Sequence, residues 1–296
     1  MIAGFQLIEE EICQKIKDEL DKIGIHYRIF SRSKDEKSIR EKITRKAKEG
    51  SPYHSNGKLI QDIIGIRVVT YFRDDVNLVK DILSRVITFK DEEIDSPELT
   101  VFKPKRTNII CSFNESQSKT FSEVQLSSEK EYYNLLDSTF ELQLRTILSE
   151  GWHEIDHSLR YKCKEDWEGH YDNERLLNGI YASLETNDIA LKNLFTELAY
   201  KHFKSKNWEG LIRNKFRLRF QLIPLKEEVV QILNEDLTIG KELFKLNREA
   251  SLMKLYEIDL SLPVNMNNII FLLNGLLIKN EGLLAVTPDV ILKEVK

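Results

Sequence analysis

The sequence predicts an α+β fold, in which a mixed β-sheet flanked by helices occupies residues 1–165 and an α-helical extension occupies residues 166–296. Hydrophobic and polar residues alternate strictly from Phe140 to Arg145, as expected for a strand with one buried face. Residues 63–72 form a nearly continuous run of Ile and Val, which is typical of a buried strand. Beyond residue 165, apolar residues recur at intervals of three and four, which predicts helices.

The composition is that of a folded protein with a sizeable core. Of the 296 residues, 41% are hydrophobic and 31% are charged, and the net charge of −4 gives no general affinity for nucleic acid or membranes. Three widely spaced cysteines (Cys13, Cys111 and Cys163) form neither a disulfide framework nor a metal-ligand pattern, so we expect a cytoplasmic protein with reduced thiols. The N-terminus is acidic and amphipathic, unlike a signal peptide, and residues 269–278 are too few to span a bilayer.

Helices and strands alternate in the N-terminal half. An apolar stripe that includes Ile8, Ile12 and Ile16 predicts the first helix, which Gly24 ends. The predicted elements are a helix over residues 5–23, a strand over 26–31, a basic helix over 35–48, a strand over 63–72 and a helix over 74–87. Strands are next predicted over 108–113 and 121–126, whereas residues 91–106 carry no clear signal.

A helix is predicted to follow the strand that begins at Phe140. Thr146 is a suitable N-cap, and Trp152 lies on the same side of this helix as Ile155 and Leu159. His157 is expected to point inward, on a surface that it shares with Tyr161. The later helices, over residues 173–203 and 209–257, carry no polar constellation. We expect this helical half to pack on the first domain or build a homo-oligomer interface, with contact to a regulatory partner as the alternative.

A basic segment offers positive charge for phosphate groups. Residues 28–58 contain ten Lys and Arg against four acidic residues, a local charge of +6. Arg32 and Lys34 lie two apart at the end of a strand, and Lys42 and Lys46 lie four apart on the next helix. These side chains could surround a polyphosphate, although a solvated face is the simpler interpretation.

Two further segments place polar groups beside buried strands. Asp62 stands at the mouth of an apolar strand, where a carboxylate requires water or a cation. Glu141, Gln143 and Arg145 share the exposed face of the later strand. A hard cation that also contacts phosphate would suit two converging carboxylates.

Three segments resemble the synthetase domain of the RelA/SpoT family of (p)ppGpp synthetases. SRSKDEKSIREK (31–42) resembles its R-x-K…S-I-x-x-K element, and DIIGIR (62–67) resembles its D-x-x-G-x-R element. Residues 141–162 resemble its E-x-Q-x-R-T segment with the following Trp, acidic residue, His and Tyr-Lys, with Asp156 where Glu is usual. The resemblance covers residues 20–165 and implies a nucleotidyltransferase-like fold. Since no hydrolase-like segment precedes it, we expect a single-function synthetase.

The resemblance implies transfer of pyrophosphate from ATP to a ribose 3′-hydroxyl of GDP, GTP or a related nucleotide, with release of AMP. Asp62 and Glu141 would be catalytic and would hold Mg²⁺, and Glu141 could accept the hydroxyl proton. The residues assigned to the ATP phosphates are Arg32, Lys34, Lys42, Lys46 and Arg67, although a structural ion pair is an equal alternative for Arg67. The residues assigned to the acceptor side are Phe121, Gln143, Arg145 and His157.

The acceptor loop departs from the family pattern. The family carries G-Y-x-S-x-H between the Asp and Glu strands, and the best match here is KTFSEVQ, with Phe121 in place of Tyr. Phe121 could stack on a base or be an ordinary core aromatic. The acceptor therefore stays open between a free nucleotide, which we favour, and the 3′ end of tRNA. RNA binding would need further basic residues, and the candidates are Lys103, Lys105, Arg106, Lys201, His202, Lys204 and Lys206.

Two other interpretations differ in class. The altered loop is compatible with a nucleotide-binding module that no longer catalyses. His153 and His157 also frame an H-E-x-x-H pattern, which can bind zinc on a helix, although no clear third ligand follows.

Overall fold

A five-stranded mixed sheet forms the centre of the N-terminal half, as predicted. The computed structural model describes residues 2–94, 107–127, 130–258 and 262–295. The strands are β1 (Tyr27–Ser33), β2 (Ile64–Thr70), β3 (Phe89–Ile94), β4 (Thr107–Ser112) and β5 (Thr139–Thr146). They are ordered β1-β2-β5-β4-β3, and only β2 and β5 are parallel neighbours. β3 was not predicted and overlaps residues 91–106, which carry no clear signal, because five of its six residues are exposed and it lacks a hydrophobic pattern.

Thirteen α-helices are found in the described part of the chain. The first six are α1 (Ala3–Asp21), α2 (Glu36–Lys48), α3 (Arg73–Ser84), α4 (Glu115–Leu126), α5 (Ile147–Ile155) and α6 (Tyr171–Lys204). The remaining helices are α7 (Trp208–Phe216), α8 (Glu227–Glu235), α9 (Leu237–Lys245), α10 (Arg248–Glu257), α11 (Met266–Leu273), α12 (Glu281–Ala285) and α13 (Asp289–Glu294). This confirms the helical C-terminal half. No helix among the described residues combines the length and the apolar character that a bilayer crossing requires.

The chain divides into two compact units. Unit 1 comprises Met1–Lys17, Tyr27–Thr70 and Leu83–Leu184, and unit 2 comprises Asp18–His26, Tyr71–Ile82 and Glu185–Lys296. The predicted domain boundary at residue 165 lies inside unit 1 of this partition, since the first half of α6 belongs with the sheet. The Trp152 indole connects α5 to this part of α6, because it donates to the Leu177 carbonyl at 3.0 Å and packs on Tyr181.

Aromatic side chains connect the elements of unit 1. Phe113 stacks on Phe140 of β5 with ring centroids 6.2 Å apart, and Phe121 of α4 contacts both Phe113 and Phe5 of α1. All four rings are at least nine-tenths buried. α1 and α4 approach closely at Gly4, where a Cβ atom would lie 2.2 Å from a methyl group of Val124. A larger residue at position 4 would therefore separate these helices.

The strand predicted over residues 121–126 is wrong, because this segment is the second half of α4. Asn114 accepts from the Gln117 backbone N–H, and the Gln117 side chain accepts from the Asn114 N–H. This reciprocal capping box starts a helix at Glu115 and fixes the conformation of the following residues. The helix ends at Leu126, whose side chain is exposed.

Unit 2 is a helical assembly with a buried ionic core. Arg217 pairs with Asp74, while Arg248 pairs with Asp75 at 2.5 Å and donates through Nε to the Phe216 carbonyl at 2.8 Å. All four charged side chains are more than nine-tenths buried. The predicted role of this half in an oligomer or partner contact stays a prediction.

Candidate active site

Polar residues from β1, β2, β5 and α5 surround one cavity of about 400 Å³ in unit 1. Its lining consists of Phe30, Ser31, Arg32, Lys34, Asp62, Gly65, Ile66, Arg67, Glu141, Gln143, Glu150 and Glu154. Six of the residues selected from the sequence are among them. A wider depression lies elsewhere in unit 1, but it is lined by side chains of α2 alone and brings no distant segments of the chain together.

Strand register explains why residues distant in sequence meet here. Gly65 in β2 is paired with Arg32 in β1 on one side and with Glu141 in β5 on the other. Two residues further along β2, Arg67 is paired with Gln143. A Cβ atom on Gly65 would meet no atom within 4 Å, so the absence of a side chain leaves open space between the basic and acidic residues.

Asp62 is held by two lysines at one end of the cavity. Lys42 Nζ lies 2.6 Å from Asp62 Oδ2, Lys34 forms an ion pair with the same oxygen, and Lys34 also donates to the Asp62 backbone carbonyl at 2.8 Å. Burial disfavours the charged carboxylate, but the two ammonium groups outweigh it and keep the pKa of Asp62 below its ordinary value. Asp62 is therefore ionised at neutral pH.

Lys34 is poised to lose its charge close to neutral pH. Burial lowers the pKa of the Lys34 ammonium to about 8, and its neighbour Lys42 adds to this effect, although Asp62 opposes it. Below this pH the group is a cation that can pair with phosphate, and above it the positive charge is lost.

For ATP, the donor that the family resemblance implies, the lowered pKa of Lys34 predicts that kcat/KM depends on pH. We expect kcat/KM for ATP to fall as the pH rises through about 8, because kcat/KM reports the protonation state of the free enzyme. A Lys34→Arg variant should keep its charge and show a flatter profile between pH 7 and 9.5. Identical profiles for the two proteins would show that Lys34 is not the titrating group.

Glu141 is oriented by two amide side chains. Asn108 in β4 donates to Glu141 Oε1 at 3.1 Å, and Gln143 donates to Glu141 Oε2 at 2.9 Å. Asn108 was not selected from the sequence. The sequence indicated Asn108 only by its position at the start of the strand predicted over residues 108–113. In the structure this strand is β4, which pairs directly with β5.

Asp62 and Glu141, which both line the cavity, are ligands of the type that Mg²⁺ takes in proteins. Within the described chain, Asp62 Oδ1 is buried and has no hydrogen-bond donor, so it is available as a ligand. No cluster of three or more His, Cys, Asp or Glu suited to a metal exists among the described residues. Mg²⁺ is commonly bound through one or two carboxylates, with water and phosphate as its other ligands, so Asp62 and Glu141 would suffice.

A second charged cluster lies at the other end of the cavity. Arg67 donates through Nε to Gln143 at 3.0 Å and forms ion pairs with Glu150 and Glu154. Arg145 pairs with Glu150 at 3.0 Å. The ion-pair alternative for Arg67 is thus found in the structure. Glu150 and Glu154 were not selected from the sequence, and their only signal was their position on the helix that follows β5.

Five predicted site residues lie outside the cavity lining, namely Lys42, Lys46, Phe121, Arg145 and His157. Lys46 lies in the last turn of α2 and pairs at 2.6 Å with Glu49, the residue that follows this helix. His157 is exposed, which corrects the inward orientation expected from the sequence, and its ring stacks on Tyr161 at 5.8 Å. Arg145 contacts the cavity through Glu150, which lines it.

A π-helical stretch explains the error at His157. Residues 156–161 follow α5 with a wider turn, so the period of 3.6 residues that the sequence argument used no longer applies. Trp152 is buried as expected, but Ile155 and Leu159 are 52% and 60% exposed. His153, in contrast, is buried.

The H-E-x-x-H segment does not form a zinc site among the described residues. His153 is buried beside Trp152 while His157 is exposed, and Glu154 is paired with Arg67. The two histidines therefore do not share an open coordination position. This outcome agrees with the preference for a synthetase interpretation of the segment.

Phe121 occupies a core position, which corrects its assignment to base stacking. Its ring is 3% exposed and packs on Phe5 and Phe113, so no face is open to a base. On the side of β5 away from β2, Glu141 is paired with Ile110 of β4, and residues 95–106, which precede β4, are outside the described chain. Lys103, Lys105 and Arg106 fall in that stretch, and their proposed contact with RNA is therefore outside the described residues.

Replacing Phe121 distinguishes core packing from stacking. We expect Phe121→Leu to lower the free energy of unfolding by about 1–3 kcal/mol, measured by chemical denaturation, because it removes buried ring volume. The KM for the acceptor should change less than twofold. A base stacked on Phe121 would contribute about 1–3 kcal/mol, so a tenfold rise in acceptor KM would contradict the core assignment.

The cavity gathers one lysine, two arginines and four carboxylates around one opening, and basic groups of this kind are suited to binding phosphate. Residues 31–166 match the region found in RelA/SpoT proteins, which amounts to a little under half of the chain. The chain therefore contains a RelA/SpoT-type region, and every cavity residue except Phe30 falls within it.

The individual proteins that resemble this chain share 29% or less of their residues with it over the matched regions. GTP pyrophosphokinase YjbM of Bacillus subtilis (strain 168) is 29% identical over 134 residues, which are 45% of this chain and 56% of that protein. The chain thus matches little more than half the length of this relative. Similar solved structures include a GTP pyrophosphokinase family protein from Streptococcus pneumoniae, at 22% identity, TM-score 0.47 and coverage of 64% and 88% of the two chains. Small alarmone synthetase 1 from Bacillus subtilis, bound to its product pppGpp, gives 21% identity, TM-score 0.46 and coverage of 65% and 93%.

Proposed function

We propose that this protein is an ATP-dependent nucleotide pyrophosphokinase that transfers pyrophosphate from ATP to the 3′-hydroxyl of GDP, GTP or a related nucleotide. The observation that carries the proposal is the convergence of three distant segments, residues 32–42, 62–67 and 141–143, on one cavity within a RelA/SpoT-type region. The GTP pyrophosphokinase relative from Bacillus subtilis supports the same reaction class.

The donor would bind at the lysine end of the cavity. Arg32, Lys34 and Lys42 would neutralise the ATP phosphates, because a negatively charged triphosphate otherwise repels an incoming oxygen. In the structure Lys34 and Lys42 pair with Asp62. When ATP binds, these two lysines would contact both Asp62 and the ATP phosphates. Asp62 and Glu141 would hold Mg²⁺, which when bound supplies charge neutralisation of the phosphate oxygens.

Glu141 would also orient the acceptor hydroxyl and take its proton. Its two carboxylate oxygens are fixed by Asn108 and Gln143, so its direction is set before substrate arrives. Attack of the 3′-oxygen on the β-phosphorus forms a new P–O bond as the bond from the β-phosphorus to the oxygen bridging to the α-phosphate breaks. AMP then leaves with that oxygen, and the hydroxyl proton passes to Glu141 or water.

An acceptor panel tests this function. The protein is incubated with Mg²⁺ and ATP together with GDP, GTP, ATP alone or tRNA, and AMP and 3′-pyrophosphorylated products are separated. We expect AMP and a modified guanine nucleotide to appear together, and Glu141→Gln to suppress both. Labelling of tRNA alone would contradict the free-nucleotide assignment, and absence of AMP with every acceptor would contradict the enzyme assignment.

A further inference from the structure

The two ends of the cavity differ in charge balance. At the donor end, Lys34 and Lys42 share the Asp62 carboxylate, and Arg32 also lines the cavity. At the opposite end, Arg67 and Arg145 are matched by Glu150 and Glu154. The donor end thus carries three cations against the two carboxylates of Asp62 and Glu141, whereas the opposite end carries two arginines against two glutamates.

The two glutamates at the balanced end are held differently. Glu150 bridges both arginines, through Oε1 to Arg67 and through Oε2 to Arg145, and its side chain is only 12% exposed. Glu154 pairs with Arg67 on the rim of the cavity, and its side chain is 56% exposed. Glu150 is therefore a fixed part of the site, while Glu154 can turn into solvent with little disturbance of the packing.

We propose that Glu154 determines acceptor preference by competing with the acceptor's phosphate groups for Arg67. The inference rests on the proposed function and assigns the balanced end of the cavity to the acceptor. It therefore moves Arg67 from the ATP phosphates, to which the family resemblance assigned it, to the acceptor, because Arg67 contacts Gln143 and Glu150 and has no ion pair with Asp62 among the described contacts. An incoming phosphate must displace Glu154 from Arg67 or share the guanidinium with it, and each additional phosphate adds repulsion from the carboxylate. Glu154 thereby favours acceptors with fewer 5′-phosphates, GMP and GDP over GTP.

Calorimetric titration with GMP, GDP and GTP, without ATP, tests this proposal on the intact chain. Glu154→Gln keeps the shape of the side chain and removes its charge. We expect this variant to bind GTP about twofold to fivefold more tightly than the unaltered protein does, the range set by the small strength of an exposed ion pair. Binding of GMP should change less, and the difference should shrink in high salt.

Glu123→Gln is the matched control, since Glu123 is an exposed helical glutamate in unit 1 that does not line the cavity. It should leave all three affinities unchanged. An equal effect of Glu154→Gln on the three nucleotides, no effect, or no binding of any of them would overturn the proposal. AMP formation is measured in parallel: a GTP-selective change in binding without turnover would contradict the pyrophosphokinase function alone.

Discussion

Replacing Asp62 with Asn is expected to lower kcat/KM by about a thousandfold or more while the protein stays folded. The change removes the carboxylate that organises Lys34 and Lys42 and that would ligate Mg²⁺. An amide cannot supply the same charge to a hard cation. The measurement is the initial rate of AMP formation over a range of ATP concentrations, with unfolding curves recorded for the same preparations.

Asp137→Asn provides a control of similar chemistry. Asp137 is also a largely buried carboxylate in unit 1 that pairs with a lysine, Lys90, at 2.9 Å, but it does not line the cavity. Its replacement should change kcat/KM less than twofold. If Asp62→Asn retains full activity, the assignment of Asp62 to the metal and phosphate site is wrong.

Replacing Arg248 with Met is expected to lower the free energy of unfolding of unit 2 by about 3–5 kcal/mol. The change leaves the fully buried Asp75 carboxylate and the Phe216 carbonyl without the guanidinium that they share. The measurement is urea unfolding monitored by circular dichroism.

The pH dependence of this loss has a defined sign. Burial already raises the pKa of Asp75 even with Arg248 present, so protonation of Asp75 relieves the penalty in the variant. The loss should therefore be smaller at pH 5 than at pH 8. Arg219→Met serves as the control, because Arg219 pairs with Asp21 where both side chains are exposed, and its removal should cost about 1 kcal/mol or less. Equal losses for the two variants would contradict the importance of the buried network.

Six of the eleven candidate residues chosen from the sequence line one cavity, because strand register brings their separate local patterns together. Asp62, Arg67 and Glu141 flank or occupy two buried strands whose hydrophobic patterns are unambiguous, and these strands proved to be parallel neighbours. Arg32 and Lys34 follow from the neighbouring strand. The partners of these residues were harder to predict from the sequence, because Glu150 and Asn108 act through contacts that no spacing rule encodes.

The errors have physical causes that can be named. Asn114 and Gln117 form a capping box, and this pair is a sequence signal for a helix, not a strand, at Phe121. His157 was misplaced because a π-helical stretch changes the rotation per residue, and a local departure of this kind leaves no mark on hydrophobic periodicity. β3 was missed because an exposed strand lacks the pattern by which strands are detected.

Transfer of two phosphates as one unit is the central claim, and ATP labelled separately at the β- and γ-phosphates tests it most directly. The protein is incubated with Mg²⁺, GDP and each form of labelled ATP, and the label in the product is compared with the AMP released. We expect both labels to enter the modified nucleotide equally, with one AMP formed for each modified nucleotide. Transfer of the γ-label alone, with ADP as the second product, would contradict it.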